Sequence, residues 1–497
     1  MTSFFDRLFT RYPNKTRRAL EILPGFIAWT VILFPLWGSF FIPTVLAYFI
    51  LFFDLYWFYK SSNLVVNAFK SSKLIEKAEK IDWYDKAQAF VDCDKVQHVL
   101  IIPNYKEKAE KIRVTLDALS KQSFPRKNLH IVLAMEEREE EAKDRAKILI
   151  NEFKDTFGSI FATYHPDVEG EVKGKSSNEA YGGRQAYRLL FESGKYDANF
   201  ATISSVDADS IFHTEYFAYL TYLFLKDPKR YNKFWQSAIV FHNNNWQVPA
   251  ATRVVSFFGS LYQISLLVQR DRLITQSTYT LSMRLLKEVD FWDVDVIPED
   301  YRIFFKTFFK KKGQLWVEPI FLKTSMDAAQ SPGYVSSLKN KYTQERRWSW
   351  GVSDNPLFIK WWLTVPCVPF WRKTNLVFHV LLSHILWPVS WFVITVAANI
   401  MAVINPVYSR TALGYSLPQL AGFILNLCLL ALLAMLYLDY KNRPANQHLP
   451  FYRKLLFPFE FLLMPIIGFF LSALPALISH TQLMFGKRLE YKVTEKV

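Results

Sequence analysis

Two apolar blocks at the ends of the chain, with a charged stretch between them, limit its possible folds more than any other feature. Ile22 to Phe58 is one apolar run with a single acid, Asp54, near its end, interrupted by Pro24, Pro35, Gly38 and Pro43. A spanning helix needs about 20 apolar residues, so the run is expected to hold two helices in a transmembrane hairpin. A cleaved signal peptide would have a shorter apolar core and a small-residue cleavage site. Arg7, Arg11, Lys15, Arg17 and Arg18 precede the run; Lys60, Lys70, Lys73, Lys77 and Lys80 follow it. Basic flanks on both sides place both in the cytoplasm.

The other block is C-terminal. Leu376 to Ile404 and Leu417 to Leu438 are long enough to span, and Lys441, Arg443, Arg453 and Lys454 mark the next loop as cytoplasmic. Leu455 to Leu483 is long for one helix and short for two, and Pro458, Pro465, Gly468 and Pro475 break it. The basic tail (Lys487, Arg488, Lys492, Lys496) prefers the cytoplasm, which asks for a re-entrant or paired arrangement; five and six crossings both stand. Asn355 to Arg372 mixes Trp361, Trp362, Phe370 and Trp371 with Lys360 and Arg372. That composition suits a segment in the headgroup plane, with a loop packed on the domain as the alternative. The expected organisation is 1–60, basic segment and hairpin; 61–354, cytosolic domain; 355–373, interfacial segment; 374–497, three or four transmembrane helices and a basic tail.

Composition agrees. Of 497 residues 51% are hydrophobic, with 44 Phe, 25 Tyr and 15 Trp, which excludes a disordered chain and an ordinary soluble one. The net charge of +15 admits nucleic acid, anionic lipid or a diphosphate ligand. The cytoplasmic flanks account for much of it, so no nucleic-acid partner is expected. Cys93, Cys367 and Cys428 are too far apart in sequence for a CxxC site.

From Asp82 to Asp354 the pattern alternates. Val96–Pro103, Leu129–Met135, Ile160–His165 and Phe200–Val206 read as strands; Glu107–Lys121, Glu136–Phe157 and Ser176–Ser193 read as helices. Such alternation predicts a mainly parallel sheet with helices on both faces. Ligands in these sheets bind at the carboxyl ends of strands.

Three constellations there could carry chemistry. Asp207 and Asp209 follow an apolar strand and point to one side of an extended chain. They could share a hard divalent cation, Mg²⁺ or Mn²⁺, or form a solvated turn. Glu299-Asp300 follows Pro298, so the pair is either a helix cap or a general base at the mouth of a site. Gln344, Arg347 and Trp348 share a helix face. Hydrogen bonds, a guanidinium and a flat apolar surface suit a diphosphate beside a sugar ring; a basic interfacial helix is the alternative.

The order of these motifs, from Ile102-Pro103-Asn104-Tyr105-Lys106-Glu107 through DxD and ED to QxxRW before membrane helices, resembles the family 2 membrane glycosyltransferases. These include the cellulose, chitin and hyaluronan synthases and related lipid-sugar transferases. The resemblance covers about Val96 to Trp350 plus the flanking helices. It implies a GT-A-like (Rossmann-like) α/β catalytic domain on the cytosolic face, binding a nucleotide-sugar donor, with a UDP-sugar favoured. It implies that Pro103 and Glu107 border the nucleotide, and that Glu136 or Glu137 stands where the family has a nucleotide-contacting aspartate. Lys175 and Asn178 would face the diphosphate and sugar. Asp207 would bind diphosphate and, with Asp209, the metal; Asp300, with Glu299 beside it, would be the base; Gln344, Arg347 and Trp348 would cover the donor diphosphate. Asn243, Asn245 and Trp246 lie where acceptor residues are expected, although an Asn-rich turn explains them equally. The implied activity is inverting sugar transfer to a glycan or lipid acceptor, processive synthesis being favoured over single addition, in a cell inner or plasma membrane. His213 reads as a packing or capping histidine. Phe304 to Lys312 reads as a basic aromatic surface facing the membrane.

Overall fold

The computed structural model describes residues 4–444 and 451–489, so Lys492 and Lys496 of the basic tail lie outside the described residues. At the centre is one eight-stranded mixed sheet. Its strands are β1 (Gln97–Asn104), β2 (Leu129–Glu136), β3 (Ser159–His165), β4 (Ala201–Ser205), β5 (Ile211–Phe212), β6 (Lys233–Val240), β7 (Tyr279–Ser282) and β8 (Trp316–Ser325). Their order is β3-β2-β1-β4-β7-β6-β8-β5.

The four strands expected from sequence form the parallel half, β3-β2-β1-β4. Strands β1, β2 and β4 are apolar runs buried along most of their length, as a sheet covered on both faces requires, whereas β3, at the sheet edge, is mostly half-buried. The other half was not read from the sequence. There β7 pairs antiparallel with both β4 and β6, and β6 pairs parallel with β8. The expected long helix after β2 starts late, at Ala142. Glu136 is still in the strand, and Glu139 is held in the turn by Arg145 at 2.6 Å and by the Lys106 N–H at 3.0 Å.

Helix Glu299–Lys310 corrects one expectation. Phe304, Phe305, Phe308 and Phe309 are buried in the domain core rather than facing a membrane. Phe305 stacks near Phe358 at 4.3 Å. Lys306 and Lys311 instead pair with Asp293 and Glu288.

Among the described residues, four segments of the apolar blocks are long and apolar enough to cross a membrane: Pro13–Phe41, Phe370–Ile404, Ala412–Asn442 and Phe451–Met484. The second helix of the expected hairpin, Pro43–Ala78, follows Pro13–Phe41 after Ile42 alone. Its apolar half is shorter, and the helix continues as a polar rod. It lies parallel to Ala412–Asn442: Leu46 and Ile50 share a cluster with Leu417 and Ala421, and Ser72 meets Asn442 at 2.8 Å. Segment 451–484 is one broken path of α, 3₁₀ and π turns. Both its ends touch the α/β side of the bundle. Glu460 grips Arg253 at 2.7 Å near the start. At the end, Ser479 donates to the Arg346 carbonyl (3.0 Å), Arg346 donates to Gln482 (2.7 Å), and Arg18 donates to the Leu483 carbonyl (2.7 Å).

Segment 355–373 divides in two. Helix Asn355–Thr364 buries Phe358 on the domain, and Trp362 donates to Thr374 at 2.9 Å. The next helix begins at Phe370 with Trp371 exposed.

Candidate active site

The site forms at the carboxyl ends of β1, β2 and β4. Its centre is Lys175, at the start of helix Lys175–Tyr187, which follows Gly174. Its ammonium lies 2.8 Å from Asp207 Oδ1, 2.9 Å from Glu299 Oε1 and 3.7 Å from Glu179 Oε1, and it donates to the Ser277 carbonyl at 2.8 Å. Burial by itself lowers the pKa of this lysine. The surrounding carboxylates of Asp207, Glu299 and Glu179 outweigh it and raise the pKa well above the ordinary value. The acids respond in kind. Burial pushes Glu299 up to about 7, with Lys175 opposing and Asp300 adding to the rise. Burial likewise raises Glu179, which is fully buried and accepts from Ser205 Oγ at 2.6 Å.

Asp300 sits in the first turn of helix Glu299–Lys310, where the dipole favours a negative side chain. Its two oxygens accept the backbone N–H groups of Ser277 and Tyr301, each at 2.9 Å. Burial still wins over these bonds and over Lys175, so its pKa is raised. The helix start is fixed from two sides. Ser176 Oγ donates to the Val296 carbonyl at 2.5 Å. Arg302 clamps Asp354 with two bonds, 2.9 and 2.6 Å, tying this helix to the turn Trp350–Asp354 that leads into helix Asn355–Thr364.

Asp207 and Asp209 diverge more than a shared turn suggests. Asp207 Oδ2 accepts the Ser277 hydroxyl at 2.6 Å, whereas Asp209 is buried and its Oδ2 accepts the Asp327 N–H at 2.8 Å. Among the described residues no group of three or more His, Cys, Asp or Glu is placed to hold a metal ion. Two carboxylates completed by substrate phosphate oxygens are the usual setting for Mg²⁺, so the donor chemistry of Asp207 and Asp209 fits a cation that arrives with a diphosphate.

The other expected residues line the same edge or brace it. Glu107 accepts from the Tyr105 N–H (2.7 Å) and Asn104 (3.1 Å), holding the turn that follows Pro103 at the end of β1. Glu136 is buried and paired with Arg138, whose guanidinium lies 4.2 Å from the Tyr105 ring centre; Glu137 is exposed. Asn178 is buried and donates to the Ala134 carbonyl at 2.7 Å.

On helix Tyr334–Ser349, Gln344 accepts from Lys341 at 2.8 Å, and the same ammonium pairs with Glu345 and lies 4.5 Å from the Trp348 ring centre. Trp348 remains 38% exposed beside Phe241, so its ring is open to a ligand. Arg347, on the same helix, is half-buried.

Asn243 donates to the Asp209 carbonyl at 3.1 Å, and Asn244 closes on Ala328 and Gln330. Asn245 gives its carbonyl to Arg253 at 3.0 Å, and its side-chain oxygen is buried without a partner. Trp246 lies between Arg253 and Arg443, with guanidinium carbons 5.1 and 4.6 Å from its ring centre. It lines a cavity of about 570 Å³ shared with Gln330, Tyr334, Tyr452 and Glu460. His213 caps a turn by accepting the Glu215 N–H at 3.2 Å.

Three residues central to this geometry escape sequence reasoning. Glu179 lies one turn after Lys175 and Lys341 one turn before Gln344, so helical spacing could have flagged both. Ser277 carries no such signal, because only β7 pairing brings it to Asp207.

Residues 202–438 match the family model described as glycosyl transferase family group 2. That span contains Asp207, Ser277, Asp300 and Arg347. No curated protein matches. Among solved structures, the chain is similar to a mannosyltransferase from Pyrobaculum calidifontis in complex with GDP-Man and Mn²⁺, at 13% identity and a TM-score of 0.43, covering 86% of this chain and 100% of that one. It is also similar to TarS 1–349 of S. aureus in complex with UDP-GlcNAc (12% identity, TM-score 0.36, covering 79% and 93%) and to GalNAc-T7 with UDP, GalNAc and Mn²⁺ (13%, 0.36, covering 60% of each chain).

Proposed function

We propose that this chain, whose α/β domain is a glycosyltransferase domain, is a membrane-embedded inverting enzyme that moves a sugar from a nucleotide-sugar donor to an acceptor hydroxyl. The observation that carries this reading is the juxtaposition of Lys175 with Asp207 and Asp300, the latter two within the segment 202–438 that matches that family. Pro103, Glu107 and Glu136 border the nucleotide. Lys175, Asn178, Gln344, Arg347 and Trp348 hold the diphosphate and sugar. Asp300, oriented by the Ser277 and Tyr301 N–H groups, takes the acceptor proton. The acceptor oxygen attacks the anomeric carbon in line, the nucleoside diphosphate leaves, and configuration inverts. Lys175 and Arg347 offset the charge that develops on the leaving group. Asp207 and Asp209 would hold a Mg²⁺ or Mn²⁺ ion, which supplies further charge neutralisation when bound.

The catalytic domain lies on the cytoplasmic side of an inner or plasma membrane in this reading. The ends of helices Pro43–Ala78 and Ala412–Asn442 and both ends of segment 451–484 meet on that side, which favours a re-entrant path for the last segment. A growing glycan is the favoured acceptor. A lipid acceptor is the second reading, favoured by the cavity beside Trp246, which membrane-block residues Tyr452 and Leu456 help to line.

The test is to incubate membranes bearing the full chain with a panel of labelled nucleotide sugars. One donor is expected to be consumed, and Asp300→Asn to retain donor binding while transfer falls by about 10²-fold or more. Normal transfer by Asp300→Asn would overturn the base assignment. A polymer ladder or a single lipid-linked sugar separates the two acceptors.

A further inference from the structure

Ser277 touches groups on both sides of the proposed reaction. It precedes β7 in a left-handed conformation, φ +57°, a region that costs a side-chain-bearing residue about 1 kcal/mol or more and that glycine occupies freely. The strain coincides with three polar contacts that converge on three different charged groups. The Ser277 N–H donates to Asp300 Oδ2 (2.9 Å), its hydroxyl donates to Asp207 Oδ2 (2.6 Å), and its carbonyl accepts from Lys175 (2.8 Å). An extended residue sends its N–H and carbonyl along the sheet ladder. Here the turn into β7 withdraws both from the ladder and aims them at the site. A glycine would satisfy the backbone at lower cost but would leave Asp207 Oδ2 without its hydroxyl. Two neighbouring polar residues make other contacts: the Thr278 hydroxyl receives the Asp207 N–H (3.2 Å), and Ser205 donates to Glu179 (2.6 Å).

We propose that Ser277 is a positioning residue that fixes the donor-side carboxylate Asp207 through its hydroxyl and the base Asp300 through its backbone N–H, setting the separation between donor and acceptor groups. This rests on the assignment of Asp207 and Asp300 above. The two contacts are chemically separable, because a side-chain substitution removes only the first.

The experiment uses the purified full chain with UDP and GDP as probes, with Mn²⁺ present. Ser277→Ala and Ser277→Gly are compared with wild type, Asp207→Asn and the double variant Asp207→Asn/Ser277→Ala. Both single Ser277 variants are expected to weaken nucleoside diphosphate binding about 5- to 10-fold, as loss of a hydrogen bond to a charged group allows. The Ser277→Ala loss should disappear in the Asp207→Asn background, because the hydroxyl acts through Asp207. In transfer assays both variants should raise the donor KM by a larger factor than they lower kcat. A residue that merely supports the fold would weaken binding equally in both backgrounds, and would lower kcat together with the melting temperature. Equal weakening in the two backgrounds, or no weakening in either, overturns the positioning role alone. Failure of wild type to bind either nucleotide overturns the functional reading together with it.

Discussion

Replacing Glu299 by glutamine tests the electrostatic account of the site without changing its shape. Glu299 is buried, 5% exposed, and shares Lys175 with Asp207 and Glu179. Its pKa rises from the ordinary 4.5 to about 7, chiefly through burial. A carboxyl raised in this way contributes stability that is fully present below its unfolded value and is lost as pH rises through the folded one. The window is therefore about pH 4.5 to 7. At 1.36 kcal/mol per pH unit, the rise corresponds to roughly 3 kcal/mol as an upper bound. Glutamine keeps the volume and can still donate or accept, and Lys175 keeps Asp207 at 2.8 Å, so the variant leaves no orphaned ammonium. Above pH 7 the wild type holds an ionised Glu299 in a crowded acidic cluster and the variant does not. Melting of both proteins in detergent at pH 5 and pH 8 should show the variant gaining on wild type by about 5 °C more at pH 8, taking 2–4 °C per kcal/mol for a domain of this size. An equal difference at the two pH values would show that Glu299 does not change its protonation in this window, and the cluster account would fail.

Other outcomes follow from the same geometry. Transfer should fall on acidification with a midpoint above the ordinary aspartate range, because burial raises Asp300 and the base must be ionised; a pH profile of kcat/KM that stays flat down to pH 4 would contradict this. Lys175→Met removes the cation that pairs with Asp207, Glu299 and Glu179, and should cost about 3–5 kcal/mol of stability at pH 8 with a smaller loss at pH 5, read by melting at both values. Arg302→Met leaves Asp354 buried without its bidentate partner, and should cost a similar 3–5 kcal/mol while uncoupling helix Glu299–Lys310 from the turn Trp350–Asp354; unchanged melting would refute the clamp.

The sequence is most legible where a local signal is strong. The buried parallel strands announce themselves as β-branched runs, and Asp207, Lys175 and Asp300 fall at the ends of recognisable elements. The antiparallel insertion is not legible, because β7 is only four residues long and its partners lie in distant parts of the chain. Ser277 is hidden for the same reason. The Phe304–Lys312 stripe misleads because aromatic residues among lysines suit an interface and a core equally. The lysine heads of residues 306 and 311 reach Asp293 and Glu288 at the rim while the four rings pack inward. The Asn243–Trp246 segment shows a related limit: much of its hydrogen-bonding capacity is spent on other parts of the chain, at Asp209, Ala328 and Arg253, which composition cannot reveal.

The position of β7 also fixes an order of events during synthesis. It is made after β4, β5 and β6 yet lies between β4 and β6 in the sheet. Until it emerges, the parallel half ends in β4 with one edge open, and an open strand edge is a template for wrong partners. About 75 further residues must be added after β4, several seconds of translation at 5–20 residues per second. During that interval the growing domain is tethered to the membrane only through its N-terminal helices. Asp207 gains its Ser277 contact only when the gap closes, so the half-made domain lacks the assembled Asp207–Ser277–Asp300 cluster through the period in which it is most exposed to mispairing.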